Sequence, residues 1–376
     1  MFLARFLCSF IYLTKSVLFR SDVARKFAPY FHPNPTSLSD GSKKSLMNEL
    51  PDDILVLILS NLTMKEAART TVLSHRWEKL GVRYAWSLNF DLPDATLRLR
   101  YGTADGSVER ARFIGWVNHI LNLHRGSTVD EFRVFFDLDA CDGDDIERWI
   151  KFAIEKKVCR FELDFSHFGL HARWTGGYQF PFKLLDLPNN LSRSFGSLTS
   201  LRLNSVDLSD QVVAYFLSNC QSLEQLSIKG ASSLTYLNAT TALKLKHLEI
   251  QRCKHLKKVD IINTIIESLN FYGEWLVSPS LQELHLLKEV SLCGSWCTRL
   301  VRSRFLQLPI SQLQRLELDI GRTFLMGSIK WEEVFPTFCN LKHLEVILVA
   351  GHYQNIFCLT SLICASPLLS SFILKP

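Results

Sequence analysis

The sequence lacks the marks of an enzyme. It contains no G-x-x-x-x-G-K-S/T phosphate loop, no G-x-S-x-G elbow, no H-E-x-x-H and no G-x-G-x-x-G. Phosphate cradling, hydrolase nucleophiles, zincin chemistry and dinucleotide binding therefore have no signature here, and a non-catalytic chain is expected. Long apolar runs are also missing. Across the first 31 residues the longest uncharged stretch is Phe6 to Thr14, far short of the ~20 apolar residues that cross a bilayer, so no membrane association is expected. Metal-type cysteine spacing is absent as well. Of ten cysteines only Cys293 and Cys297 are close, and no second pair or nearby histidine pair completes a tetrahedral set. The thiols read as reduced groups of an intracellular protein, cytoplasmic or nuclear, with no metal and no cofactor. A one-sided charge is missing too. The net excess is +6, with acids interspersed throughout. That permits an acidic partner without requiring one, and no nucleic-acid binding is expected.

What the chain does have is apolar content of 47% against 21% charged residues, enough for a substantial core and too much for bulk disorder. A length of 376 residues suits one large repeat array or two to three compact domains. The N-terminal MFLARFLCSFIYLTKSVLFR is basic, apolar and free of acids until Asp22. This is the composition of an organelle transit peptide; the alternative is a non-structural extension, with the working protein beginning near Ser45. HPNPTSLSDGSKK (32–44) then reads as a flexible linker. Residues 1–44 are thus set apart as extension and linker.

From Ser45 the character changes. Pro51 fits the first turn of a helix, where its missing N–H costs nothing. Asp52 and Asp53 put negative charge at the positive end of the helix dipole. Ile54, Leu55, Ile58, Leu59 and Leu62 follow at helical spacing. Thr63 with Glu66 makes a capping box for a second helix, and Ser74 caps a third carrying Arg76 and Trp77. Three helices in about 35 residues cannot bury this much apolar surface alone, so the next domain or a partner must cover part of it.

This segment resembles the F-box in its plant form: Leu50, Pro51, Asp52, Ile54, Leu55, Ile58 and Leu62, then Ala67, Ala68, Arg69, Thr70, Val72, Leu73, Ser74, Arg76 and Trp77, in order over 28 positions. The resemblance implies an F-box over 45–90 that docks on a Skp-type adaptor, and through it on cullin and RING subunits. It carries Leu50, Pro51, Ile54, Leu55, Ile58, Leu62, Val72, Leu73 and Trp77 as adaptor contacts. Leu55, Leu59 and Leu73 have an alternative reading as intramolecular core. Gly81 departs from the pattern, where many relatives carry a further Trp.

The remainder is self-similar. An L-x-x-L-x-L hexad with apolar swaps starts at Val129, Val158, Leu198, Leu223, Leu245, Ile266, Leu281, Leu313, Leu341 and Leu369. Successive starts lie 29, 40, 25, 22, 21, 15, 32, 28 and 28 residues apart, mostly near the 20–29-residue period of leucine-rich repeats. Each hexad predicts a short parallel strand whose apolar residues enter a shared core. SDQVVAYFLSNCQS predicts a Ser-capped helical return. RWTGGYQFPF reads as an inserted loop, and the 15-residue step as either a misassigned strand or a tight turn. WVNHILNLHRGSTVDEFRV and DIERWIKFAIEKKVCRFELDF look like the region after the F-box in plant F-box/leucine-rich-repeat (RNI-like) proteins, on Trp149, Ile150, Ala153, Lys156 or Lys157, and Val158.

The expected fold is therefore α/β: a short three-helix F-box followed, over 91–376, by a leucine-rich-repeat solenoid with a curved parallel sheet, the array running to Leu374 with no separate C-terminal domain. The family resemblance implies the substrate-recognition subunit of a Skp-cullin-F-box ubiquitin ligase, with the repeats holding a target protein. The alternative is a repeat scaffold or small-molecule sensor outside any ligase. Strand positions between the buried leucines are the candidate target contacts: Arg202, Ser227, Glu249, Asn270, His285, Glu317 and Glu345. The acidic run Asp137, Asp139, Asp142, Asp144 and Asp145 reads as a solvated loop capping the next helix rather than a calcium site. The basic run Lys244 to Lys258 reads as a solvated face.

Overall fold

Strict alternation over five residues is what a strand with one buried face requires. The computed structural model describes residues 50–59, 75–103, 105–166, 177–185, 195–261, 264–272, 284–293, 311–319, 337–347 and 356–375. All lie in the compact unit Leu50–Pro376. The N-terminal extension and linker, the Thr63–Glu66 cap, Leu62, Val72 and Leu73 lie outside the described residues.

Two helices come first among the described residues, α1 (Asp52–Leu59) and α2 (His75–Leu80), then a short 3₁₀ turn at Val82–Tyr84. Next follow β1 (Ser87–Asp91), α3 (Pro93–Arg100), α4 (Gly106–Leu123), β2 (Glu131–Phe135), α5 (Gly143–Glu155) and β3 (Arg160–Asp164). β4 (Tyr178–Gln179), β5 (Ser200–Asn204), β6 (Val206–Asp207) and α6 (Asp210–Asn219) lead into β7 (Gln225–Lys229), β8 (Tyr236–Asn238), β9 (His247–Gln251) and β10 (Lys258–Asp260). The last elements are β11 (Ser268–Tyr272), β12 (Glu289–Cys293), β13 (Arg315–Asp319), β14 (His343–Ile347), α7 (Ile356–Cys364) and β15 (Ser371–Lys375).

Eleven strands form one parallel sheet in the order β1-β2-β3-β5-β7-β9-β11-β12-β13-β14-β15. Each step adds the next repeat beside the last, as a solenoid must. The register brings one apolar row across the sheet: Leu88, Phe132, Phe161, Leu201, Leu226, Leu248, Leu269, Val290, Leu316, Leu344 and Phe372. All but Phe372 are buried. Each fully buried leucine contributes about 1.5–3 kcal/mol, so this row and its companion two residues on hold the array together.

The helical return occurs as the spacing predicts. The Ser209 side chain caps α6 by accepting from the Val212 N–H, and Val212, Val213, Phe216 and Leu217 are its buried face. α5 likewise buries Ile146, Trp149, Ile150, Ala153 and Ile154. Aromatic rings fill the first repeats: Phe113 stacks on Phe136 at 4.2 Å, and Trp149 Nε1 donates to Asn118 Oδ1 at 2.8 Å. Other described returns carry short strands instead. β8 and β10 pair as a separate two-stranded sheet, and so do β4 and β6. Buried Asp207 ties one such return to the next by accepting from the Ser232 and Ser233 N–H groups at 2.8 and 2.6 Å.

Two differences from the sequence expectation concern the array itself. The sheet begins at Ser87, within the stretch 45–90 expected for the F-box. Its hexad starts with buried Ala85 rather than Leu, Val or Ile, so the apolar pattern is weaker there. The second difference is a register correction. The hexad expected at Leu281 is not the strand. β12 belongs to the hexad starting at Leu287, with Leu287, Val290 and Leu292 buried. His285 stands exposed in the turn before it. Starting from Ile266, the steps become 21 and 26 residues, and the anomalous step of 15 disappears. Both frames satisfy an apolar template, and Leu284 is buried as well as Leu287, so the sequence reading settled on the frame at Leu281 although the strand follows Leu287.

Candidate functional site

The residues singled out by the sequence lie on two surfaces: the helical N-terminal segment and the sheet face turned away from the core. In α1 the Pro51 carbonyl accepts from the Leu55 N–H at 3.1 Å, and Asp52 and Asp53 occupy the first turn. The Arg76 guanidinium reaches back to Asp52, with Nε 2.6 Å from Oδ1, joining α2 to α1. Leu55, Leu59 and Trp77 are wholly buried. Pro51 is exposed, and Leu50, Ile54 and Ile58 are half-buried. The structure thus divides the predicted adaptor residues. Leu55 and Trp77 face inward, as the packing of two short helices demands, whereas Leu50, Pro51, Ile54 and Ile58 keep accessible surface.

The outward face of the sheet is read along its middle row: Asn89, Arg133, Glu162, Arg202, Ser227, Glu249, Asn270, Ser291, Glu317, Glu345 and Ile373. Most of the predicted target contacts lie in it. His285 does not; the residue in its place is Ser291, four positions after the leading Leu287. That offset also gives Arg133 and Glu162, which the sequence reading passed over.

Much of this row is already engaged within the chain. Glu162 lies 3.0 Å from Arg133 and 3.9 Å from Arg202, and Arg202 also approaches Gln225. Glu249 accepts from Ser227 at 2.6 Å, Gln251 at 2.9 Å and Asn270 at 3.3 Å, and pairs with Lys229 at 2.9 Å. Glu345 is buried and paired with Lys375 and, at 3.9 Å, with Arg315. Beyond β9 the face opens. Tyr272, Glu289, Ser291 and Glu317 are half-buried or exposed.

No group among the described residues has metal-binding geometry. The acidic run is spent locally: Asp139 caps a 3₁₀ turn with Asp142 in a reciprocal box, and Arg110 pairs with Asp137 at 3.5 Å and Asp139 at 2.8 Å. Burial pushes the Cys220 and Cys253 thiols up to about 12, which keeps them protonated and unreactive. The basic run is dispersed too. Lys246 pairs with Glu224 at the strand-start rim, and Lys258 with Asp260 on the opposite side of the repeat. No helix among the described residues is long and apolar enough to cross a membrane.

Comparison with known proteins gives this geometry a context. A family model for the F-box domain matches residues 47–81, and one described as the At1g61320/AtMIF1 LRR domain matches residues 187–376. The chain belongs to the plant F-box/leucine-rich-repeat family. An Arabidopsis thaliana protein named for both the F-box and the LRR repeat, At3g58880, is 28% identical over 339 residues, covering 80% of this chain and 71% of that protein. The Arabidopsis F-box/LRR-repeat protein At3g03360 is 28% identical over 80% of this chain and 56% of its own length. The FBD-associated F-box protein At5g38590, also of Arabidopsis, is 28% identical over 64% of this chain and 55% of its own length. The chain therefore spans between about half and seven tenths of these F-box relatives. An F-box is a module that in general binds Skp-type adaptors, and this F-box/leucine-rich-repeat chain carries one.

Proposed function

We propose that this F-box/leucine-rich-repeat protein is the substrate-recognition subunit of a Skp–cullin–F-box ubiquitin ligase. The observation that carries the reading is the F-box at residues 47–81, whose first described helix leaves Leu50, Pro51, Ile54 and Ile58 open to a partner while Leu55 and Trp77 hold the segment together. The ridge docks on the adaptor, which connects the chain to cullin and RING subunits. The repeats hold a target protein on the outward sheet face. The chain itself forms no covalent bond with the target. It acts by proximity, raising the effective concentration of target lysines beside the conjugating enzyme.

The test is co-purification with a Skp-type adaptor. Wild type is expected to form a stable complex. Leu50→Ala/Pro51→Ala and Ile54→Ala/Ile58→Ala should weaken it without unfolding the chain. A wild-type chain that is folded yet fails to associate with any adaptor overturns the ligase reading.

A further inference from the structure

We propose that the target is gripped over β11 to β13, through an extended segment of the target that presents lysine or arginine. This rests on the reading of the repeats as the target-holding part, and it names the chemistry that part selects.

The inference starts from how the outward face spends its own polar groups. From β2 to β9 the middle-row side chains are tied into two hydrogen-bonded groups, one centred on Glu162 and one on Glu249. A target binding there has to break bonds already made, and each broken charge-assisted contact subtracts from what binding gains. Past Asn270 of β11, which still bonds Glu249 and Gln251, the situation reverses. The side chains of Tyr272, Ser291, Glu289 and Glu317 reach solvent and take part in none of the side-chain hydrogen bonds and ion pairs formed among the described residues. Ser291 is small and sits directly between Asn270 and Glu317 in the register, so it leaves open space on the face.

Charge supplies the partner's identity. Over β11 to β15 the outward positions hold four carboxylates (Glu289, Glu317, Asp319 and Glu345) and two cations, Arg315 and Lys375. Both cations converge on Glu345. Arg315 stands opposite Glu289 in the register, yet its guanidinium turns to Glu345. Glu317 faces Glu345 directly across β13 and β14, a like-charge placement that costs stability unless a cation intervenes. Asp319 is capped by the Cys293 thiol at 2.9 Å. Glu289 and Glu317 thus flank Ser291 without an ion pair among the described residues, Glu317 sharing only the longer-range field of Lys375, whose pKa it raises after Glu345 does, and the Tyr272 ring adds an aromatic surface on which a cation gains further. Two carboxylates, a gap and an aromatic ring fit a lysine or arginine side chain carried on an extended backbone.

The experiment uses the full-length chain and an array of short extended peptides with Lys, Arg, Ala or Glu at the centre. Wild type is expected to favour the Lys and Arg series over the Glu series by about tenfold or more, equivalent to ~1.4 kcal/mol. Glu317→Gln, which preserves size, and Ser291→Lys, which supplies the cation internally, should abolish that preference. Arg202→Gln should leave it intact, since Arg202 lies among the committed strands. Melting midpoints check that each variant is folded. The proposal is overturned if no peptide binds, if Ala or Glu peptides are preferred, or if Glu317→Gln and Ser291→Lys keep the preference. Adaptor capture is scored in parallel. A Lys/Arg preference without adaptor binding removes the ligase assignment and supports the grip; adaptor binding without the preference removes only the grip.

Discussion

The His124 ring lies with Nε2 3.2 Å from the Ala85 carbonyl oxygen, linking the loop before β2 to the segment that leads from α2 into β1. The side chain is buried, and its Nδ1 has no hydrogen-bond partner. Gly126 presses on the same ring: a Cβ at that position would stand 2.8 Å from His124 Cε1. Lys156 closes the site from the other side, donating from Nζ to the Gly126 carbonyl at 2.6 Å. The neutral ring, with its proton on Nε2, is the form this pocket accepts.

A pH dependence follows from this pocket. Burial holds the His124 pKa below its ordinary 6.5, the Ala85 carbonyl opposes that, and the Lys156 charge adds to it. A histidine with a depressed folded-state pKa contributes stability above the unfolded value and loses it as pH falls through that value. The melting midpoint should therefore decline as pH drops below about 6.5, and His124→Gln should flatten that decline. An unchanged slope in the variant would assign the acid sensitivity to other groups.

The F-box segment separates stability from docking. Trp77→Ala removes a fully buried indole and should cost about 3–5 kcal/mol. Ile54→Ala and Ile58→Ala, at half-buried positions, should each cost well under half of that. Chemical denaturation of the three variants measures the split. Equal losses at all three sites would contradict the inward placement of Trp77.

The register of the seventh hexad has a direct check. Leu287 is fully buried, and His285 is exposed in the turn. Leu287→Ala should lower stability by about 2–5 kcal/mol, whereas His285→Ala should fall within about 0.5 kcal/mol of wild type. The reverse order would restore the frame starting at Leu281.

Much of this was legible in the sequence because a repeat states its own rule many times. Nine of the ten predicted hexads lead into strands of the main sheet, and the Ser209 cap of α6 needed only local chemistry. The failures have local causes as well. β1 was hidden because Ala85 replaces the leading large apolar residue. β12 was displaced because the sequence allows two frames six residues apart, one starting at Leu281 and one at Leu287, and only packing chooses between them. Whether Leu55 and Trp77 face inward or toward a partner depends on how two short helices meet, which periodicity does not encode. The commitments of Glu249 to Ser227, Lys229 and Asn270, and of Glu345 to Arg315 and Lys375, were equally hidden, since those partners are 20 or more residues away in sequence.

The strand order has a consequence for how the molecule comes apart. Because every strand pairs only with the repeat before and after it, cohesion is a chain of nearest-neighbour couplings rather than one indivisible event. The link between β14 and β15 is the less well packed on its β15 side. Phe372 and Leu374 hold the core positions of β15 yet remain 40% and 44% exposed, whereas Leu344 and Val346 on β14 are at 1% and 0%. Amide exchange in this chain should therefore be faster at β15 than at β14 and the central strands.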